Sequence, residues 1–427
     1  MKKCSLALVL LLPVLVYCQD TIIGKVINEN QEPLPGASVF IPNTSKGVQT
    51  DKKGEFVLTK VPSGNTKIVI SFIGYETNSK TIALADRQQT QVIKLKRRNY
   101  ELEAVTIANY DKDGWKNYGD IFTAAFIGTS AYAAQCNIKN KTAINFIFTK
   151  GNNLLHVYAA EPLVIENAAL GYNITVTLAD FTFNVATKYV DYQVYSFFEE
   201  MQGTRKQMAQ WKKNRSNAYS LSLMHLFRAI YADNLRNEHY EVRILEQKKN
   251  AEKQRIQELY KKQFITIKDS LNSIQSREIV NNKLIERSFN RDSLKYYKNI
   301  LEQEDSIKKI YPRLLKFKDI ASRSDSNTIV LHFEDYLHIT YTKTREPEEY
   351  INFKTESGQS DVPVMNQDSR AVVPMANMYP ISELTLQQGI PIEINENGYF
   401  NNIDLFINGF WGWWEKMATK LPYEYEP

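Results

Sequence analysis

Few residues in this 427-residue chain have the types and spacing that chemistry requires. Its five histidines are His156, His225, His239, His332 and His338. Only His332, Glu334 and His338 cluster, and on one strand they would share a face and could reach a metal ion. A turn expected at Asp335 breaks that alignment, so ordinary hairpin surface is the better reading. The two-histidine helix motif of zinc proteases is absent, as are a glycine-rich phosphate loop and a nucleophile elbow around Ser130. Glu199 and Glu200 are adjacent on a strand and point opposite ways, so they read as a solvated strand end rather than an acid/base pair. Cys136 has no local base and reads as a small buried apolar residue. Asp51 and Gly54 could line an ion loop but fit a hairpin turn better. No cofactor or metal is implied. What remains is aromatic: Trp411, Trp413 and Trp414, followed by Tyr423 and Tyr425. An aromatic side chain buries roughly 150–250 Å², so these five either pack the C-terminal segment onto a core or contact a carbohydrate or a partner protein. They are the candidate contact residues.

The elements that must position them follow from composition and pattern. Hydrophobic residues make up 43% of the chain, with 25 Tyr and 20 Phe, enough for two or three cores. A formal net charge of +5 is too mild to argue for nucleic acid. Lys2 and Lys3, the apolar run Leu6 to Val16, and Val16 and Cys18 ahead of Gln19 read as an export signal. That run is shorter than the roughly 20 residues a membrane span needs, and no later stretch is long and apolar enough, so no span is expected in the mature chain. Acylation of Cys18 would need a small residue before it, and Tyr17 is bulky, so cleavage before Gln19 is the preferred reading. Cleavage there leaves Cys136 alone, without an intramolecular disulfide.

Thr21 to Asn28, Ala37 to Ile41, Glu55 to Thr59, Lys67 to Phe72, Thr77 to Leu84 and Thr90 to Leu95 alternate as short strands between Gly/Pro turns, the pattern of a small sandwich. Val39, Ile41, Phe56, Leu58, Ile68, Ile70 and Phe72 would form one buried face. Four motifs then follow in order: Gly24-Lys25-Val26, Pro33-Leu34-Pro35-Gly36-Ala37-Ser38-Val39, Thr50-Asp51-Lys52-Lys53-Gly54-Glu55-Phe56 and Ser71-Phe72-Ile73-Gly74-Tyr75-Glu76. Together they resemble the carboxypeptidase regulatory-like domain. The resemblance implies a prealbumin-like β-sandwich, an accessory fold with no peptidase activity of its own. Tyr100 to Ile107 resembles the strand that follows this domain in TonB-dependent outer-membrane receptors. About 300 residues remain after it, too few for a receptor's plug and barrel, so only the compartment is shared.

Beyond a linker at Asp111 to Gly114, residues from Trp115 to Met201 read as strand-rich. The best strands are Ala143 to Phe148, Leu154 to Ala159, Leu163 to Glu166, Tyr172 to Phe183 and Lys188 to Phe198, with a short helix or cap between Phe126 and Cys136. Helical spacing takes over near Thr204, and Glu246 to Ile310 reads as a long, solvated helical hairpin. The units Asp269-Ser270-Leu271, Asp292-Ser293-Leu294 and Asp305-Ser306-Ile307 within it suit helix N-caps or a polar helix face. Strands return at Thr328 to Phe333 and Tyr336 to Thr342, joined through Glu334-Asp335, and at Ser382 to Gln387 and Pro391 to Ile394. Ser357 to Asn377 reads as a loop.

A second resemblance spans nearly the whole chain. Phe126 to Ser130, Pro162 to Asn167 with Leu170-Gly171-Tyr172, Trp211 with Asn214-Arg215, His225 to Ala229, and the closing Leu421-Pro422-Tyr423-Glu424-Tyr425-Glu426-Pro427 look like a family of envelope proteins carrying the same N-terminal sandwich. It implies architecture and compartment and no activity. The expected fold is therefore a multidomain, β-rich α+β protein with a prealbumin/Ig-like sandwich and a second β-rich domain bearing a helical insertion. Its parts are a signal peptide at 1–18, the sandwich at 19–98, the β-rich domain at 99–203 and 323–427, and the insertion at 204–322. The expected function is a non-enzymatic, exported binding or scaffolding protein of the periplasm or the periplasmic face of the outer membrane, with envelope proteins as partners. The alternatives are carbohydrate binding, or hydrolysis without a recognisable motif. Scaffolding predicts buried tail aromatics, and carbohydrate binding predicts exposed coplanar ones.

Overall fold

The computed structural model describes residues 21–62, 64–97, 110–270, 289–303, 305–325, 327–357, 379–400 and 405–427. The expected signal peptide, Cys18, the segment 100–107, Leu271 and most of the 357–377 loop lie outside them. The sandwich strands are β1 (Ile22–Ile27), β2 (Ser38–Phe40), β3 (Gly47–Gln49), β4 (Glu55–Leu58), β5 (Thr66–Ser71), β6 (Asn78–Ile82) and β7 (Gln91–Lys94). They form two sheets, β4-β1-β7 and β3-β2-β5-β6. Alternation sends Ile22, Val39, Phe56, Leu58, Ile68 and Ile70 into one buried core, with Phe72 half-buried at its rim. Asp51 and Gly54 form the turn between the sheets. Asp51 Oδ1 accepts the Lys53 and Glu55 N–H groups at 2.8 Å, and those bonds hold its carboxyl below the usual range. Gly54 sits at φ 72°, with the Val26 carbonyl oxygen only 2.6 Å from where a Cβ would be, so only glycine fits.

The second body has its own core. Helix α1 (Gly114–Phe126) opens it where strands and a linker were expected, because Trp115, Tyr118, Phe122 and Phe126 recur at helical spacing. Phe122 and Phe126 stack at 5.1 Å and pack on Phe181 of the sheet. That sheet holds β8 (Cys136–Ile138), β9 (Ile144–Thr149), β10 (Leu154–Ala159), β11 (Leu163–Asn167), β12 (Tyr172–Asn184) and β13 (Val190–Glu200). The long β12 carries β11 and β10 along one side and β13 along the other.

Helices α2 (Arg205–Ser220) and α3 (Leu223–Tyr231) follow, opened by Thr204 in a capping box with Gln207 and by Ser222. The stretch expected to be helical is then broken by β14 (Tyr240–Lys249). Helices α4 (Ala251–Ser270) and α5 (Arg291–Leu301) pack on each other beyond it, and β15 (Ser306–Ile310) returns to pair with β14. The helical arm thus grows from a strand pair. None of the Asp-Ser units supplies an N-cap: Asp269 lies in the last turn of α4, Asp292 lies on the exposed side of the first turn of α5, which Asn290 caps, and Ser306 begins a strand.

The remaining elements are α6 (Phe317–Ile320), β16 (Ala321–Arg323), β17 (Thr328–Leu331), β18 (Tyr336–Tyr341), α7 (Glu348–Glu356), β19 (Ile381–Leu386), β20 (Ile392–Asn395), β21 (Leu405–Gly409) and α8 (Phe410–Trp414). They complete the sheets β15-β14-β18-β19-β21 and β16-β17-β20. β17 and β18 were expected to be joined as a hairpin. Asp335, at φ 58°, instead turns the chain from one sheet into the other. No described helix is long and apolar enough to cross a membrane.

Candidate functional site

The tail is positioned first by Gly409. At φ 75°, with the Ile381 carbonyl oxygen 2.6 Å from its missing Cβ, it turns β21 into α8. The three candidate tryptophans then enter the core and are not available to a ligand or partner. Trp411 donates its backbone N–H to Ser382 Oγ at 3.0 Å and Nε1–H to the Leu221 carbonyl at 2.8 Å. Trp413 donates Nε1–H to Thr129 Oγ1 at 2.8 Å, and Trp414 stacks on Phe410 at 5.6 Å. Burying an indole satisfies the hydrophobic effect only if its N–H finds an acceptor, which two of these do. Glu415 accepts the first N–H of α3, from Leu223, at 2.6 Å, a negative charge at a helix N-terminus. Burial still raises its carboxyl above the ordinary value, lowers the Lys420 amine and pulls the Lys416 amine down to about 8. Met417 and Ala418 donate to the carbonyls of Phe126 and Ile127 at the end of α1, and Asn167 Nδ2 donates to the Ala418 carbonyl.

The last residues tie the two bodies together. The Arg228 guanidinium donates to the carbonyls of Tyr423 and Tyr425, each at 2.9 Å, and of Asn397 at 3.1 Å. Held there, Tyr423 donates its N–H to the Asn43 carbonyl of the sandwich at 2.9 Å. Glu424 accepts from the Ser45 N–H and hydroxyl. Beside them the sandwich meets β13 directly: Thr44 bridges Phe197, Phe198 donates to the Thr44 carbonyl at 3.0 Å, and Phe40 lies 5.6 Å from the Phe197 ring. Tyr423 and Tyr425 are half-buried, against Tyr399 and Tyr219 respectively, and burial drives the Tyr423 phenol far above its usual range. As candidate contact residues they touch this chain's own junction. A cleft of about 30 Å³ lies alongside, lined by Ile41, Thr44 and Thr66 of the sandwich and by Asn395, Tyr399 and Tyr423 of the body.

The other motif segments hold the same assembly. Trp211 Nε1–H donates to the Ala168 carbonyl at 2.8 Å, Asn214 to Ala169 at 2.7 Å, and Arg215 to Leu170 at 2.7 Å. Arg215 also lies 3.9 Å over the Tyr172 ring and pairs with Glu200 at 2.6 Å, so Glu200 is an ion-pair partner and not merely a solvated strand end. His225 is buried, with Nδ1 2.9 Å from the Tyr240 hydroxyl and Nε2 3.0 Å from Glu238 Oε2. Next to it, Tyr240, Tyr341, Ser382 and Trp411 line a cavity of about 10 Å³. Small-molecule sites span roughly 300–1,000 Å³, so neither cavity takes more than a water or two.

His332 and His338 do not share a strand: His332 follows the end of β17, whereas His338 lies within β18 of another sheet and faces Arg243, Lys308 and Glu383. Among the described residues no group of three or more His, Cys, Asp or Glu could hold a metal ion. Burial pushes the Cys136 thiol up to about 12, far from the range of a nucleophilic thiolate. The junction residues Asn43, Ser45, Phe197 and Arg228 escaped sequence reasoning. The only signal was the motif around His225, which contains Arg228.

Comparison with known proteins agrees with the N-terminal geometry. Residues 22–107 match the CarboxypepD_reg-like domain, and the sandwich is a carboxypeptidase regulatory-like domain. The TonB-dependent receptor P39 of Formosa agariphila is 32% identical over 92 residues, which are 22% of this chain and 8% of the receptor. The chain therefore matches less than a tenth of that relative's length. A crystal structure of 3-chlorocatechol 1,2-dioxygenase from Rhodococcus opacus 1CP aligns at 13% identity with TM-score 0.15, over 19% of this chain and 60% of that one. The Bacillus anthracis TIE protein aligns at 15% identity with TM-score 0.16, over 44% of this chain and 32% of that one. Scores this low do not define a shared fold.

Proposed function

We propose that this is a non-enzymatic, exported scaffolding protein of the cell envelope, acting by protein–protein contact from the periplasm or the periplasmic face of the outer membrane. One observation carries the reading: one sheet of the sandwich exposes a group of apolar side chains on its outer face. On the outer face of β4-β1-β7, Ile23 is 44%, Val57 52% and Val92 59% exposed, and Ile23 stands directly opposite Val57. Clustered exposed apolar side chains of this kind mark partner surfaces. Burial of Trp411, Trp413 and Trp414 favours this over a carbohydrate platform, which needs its rings in water. A relative named as a TonB-dependent receptor supports the compartment.

The test is a photo-crosslinking residue at position 57 of the full chain, in intact cells of a host that encodes it, followed by fractionation. Discrete crosslinked species in the envelope fraction are expected. A cytosolic protein, or saturable binding to a glycan array with no protein crosslinks, would replace the proposal.

A further inference from the structure

The sheet β15-β14-β18-β19-β21 ends on β15, and its register fixes which backbone groups look outward. Tyr311 donates its N–H to the Ile244 carbonyl at 3.0 Å, and Asn250 donates to the Asp305 carbonyl at 2.8 Å. With Lys248 opposite Ile307 and Glu246 opposite Lys309, the hydrogen-bonded pairs fall at Asp305, Ile307, Lys309 and Tyr311, whose N–H and C=O groups turn in toward β14. Ser306, Lys308 and Ile310 turn theirs away, along an edge that no described strand covers. Ile307 to Ile310 are all exposed, Ile307 at 58% and Ile310 at 46%. An edge strand with open backbone and apolar side chains is a template for another strand.

Charge selects the occupant. Lys308 and Lys309 stand on the edge, with Lys248 and Lys249 beside them on β14. Glu383 takes Lys308 and Glu246 takes Lys248, each at 2.7 Å. Lys309 instead lies over the Tyr311 ring, and the carboxylate opposite it, Glu246, is already bonded to Lys248. Full-length antiparallel pairing with a second copy would centre on Lys308 and set like charges face to face, which disfavours it. We propose that the β15 edge takes an extended, acidic segment of a partner protein as a sixth strand, bonded to the outward groups of Lys308 and Ile310, with a carboxylate against Lys309 and apolar side chains against Ile307 and Ile310. This rests on the protein-binding reading above and names the surface and the partner's chemistry.

The full chain would be titrated into a fluorescein-labelled peptide built on Val-Glu-Glu-Val, which in antiparallel register sets valines opposite Ile310 and Ile307 and glutamates opposite Lys309 and Lys308, with anisotropy as the readout and a Val-Lys-Lys-Val peptide as control. Ile310→Pro removes an outward N–H and leaves the β14 ladder intact. Lys309→Glu alters charge alone and serves if the proline variant misfolds. Saturable binding of the acidic peptide is expected, weakened about tenfold or more by either change. No saturable binding, equal binding of the lysine peptide, or binding unchanged in both variants overturns the proposal. Self-association of the chain that Ile310→Pro abolishes would assign the edge to a second copy and overturn it equally. Crosslinks in cells from position 57 but none from 309 would sink only this inference; none from either would sink the scaffolding reading too.

Discussion

Arg228 holds Tyr423 by its carbonyl, 2.9 Å from the guanidinium, and Tyr423 in turn holds Asn43 in the other body. A single half-buried cation on α3 thus organises the meeting of tail, body and sandwich, because a guanidinium can reach three carbonyls at once.

Replacing Arg228 with Ala leaves three carbonyls without their charged donor and should cost about 2–4 kcal/mol. Urea unfolding would give the loss. Limited proteolysis should release the residues after Glu415 from the variant and spare them in the parent. Equal protease resistance would mean that the tail is held without Arg228.

Gly171→Ala should be among the most damaging single changes, at about 2 kcal/mol or more. Its φ is +71°, and a Cβ would stand 2.3 Å from the Trp211 indole. Trp211→Phe, which removes mainly the bond to Ala168, should cost about 1 kcal/mol. Thermal melts of both variants check the order, and the reverse order would contradict the packing.

Gly47→Val tests the junction without touching either core. A Cβ at Gly47 would come within 2.7 Å of Phe197. Calorimetry should resolve two transitions where the parent gives one, since each body has its own core. One transition at a lower temperature would show that the bodies do not unfold independently.

Stability should rise from pH 8 to about 10. The Lys416 amine titrates near 8 when folded, against 10.5 as its ordinary value, and Lys420 is shifted the same way. Over that window the unfolded chain binds the extra protons, so raising pH favours the folded form. Above pH 10 the buried phenols of Tyr240 and Tyr423, raised by burial, reverse the trend, because the unfolded chain loses those protons first. Lys416→Met should flatten the rise between pH 8 and 10 in urea midpoints, and an unchanged slope would exclude Lys416 as its source.

The sandwich was legible because a two-residue period and turn glycines leave little choice, and Val39, Phe56 and Ile68 fall where the alternation puts them. β14 was not, since Glu246, Gln247, Lys248 and Lys249 look like a solvated helix. They are a strand because they continue the ladder that Tyr240 to Leu245 make with β18, and β15, distant in sequence, pairs with them. Helix α1 left a readable signal in the spacing of Trp115, Tyr118, Phe122 and Phe126. The junction left none, because backbone carbonyls such as those of Asn43 and Tyr423 have no signature in residue type.

The tie between Ser45 and Glu424 joins residues 379 positions apart. Closing so long a loop gains nothing until both surfaces exist. The amino-terminal unit should therefore reach its own shape early and wait, unattached, while the larger unit is put together. Capture of one by the other is then the closing event of assembly, and refolding followed separately at the two cores should register it as the slowest step.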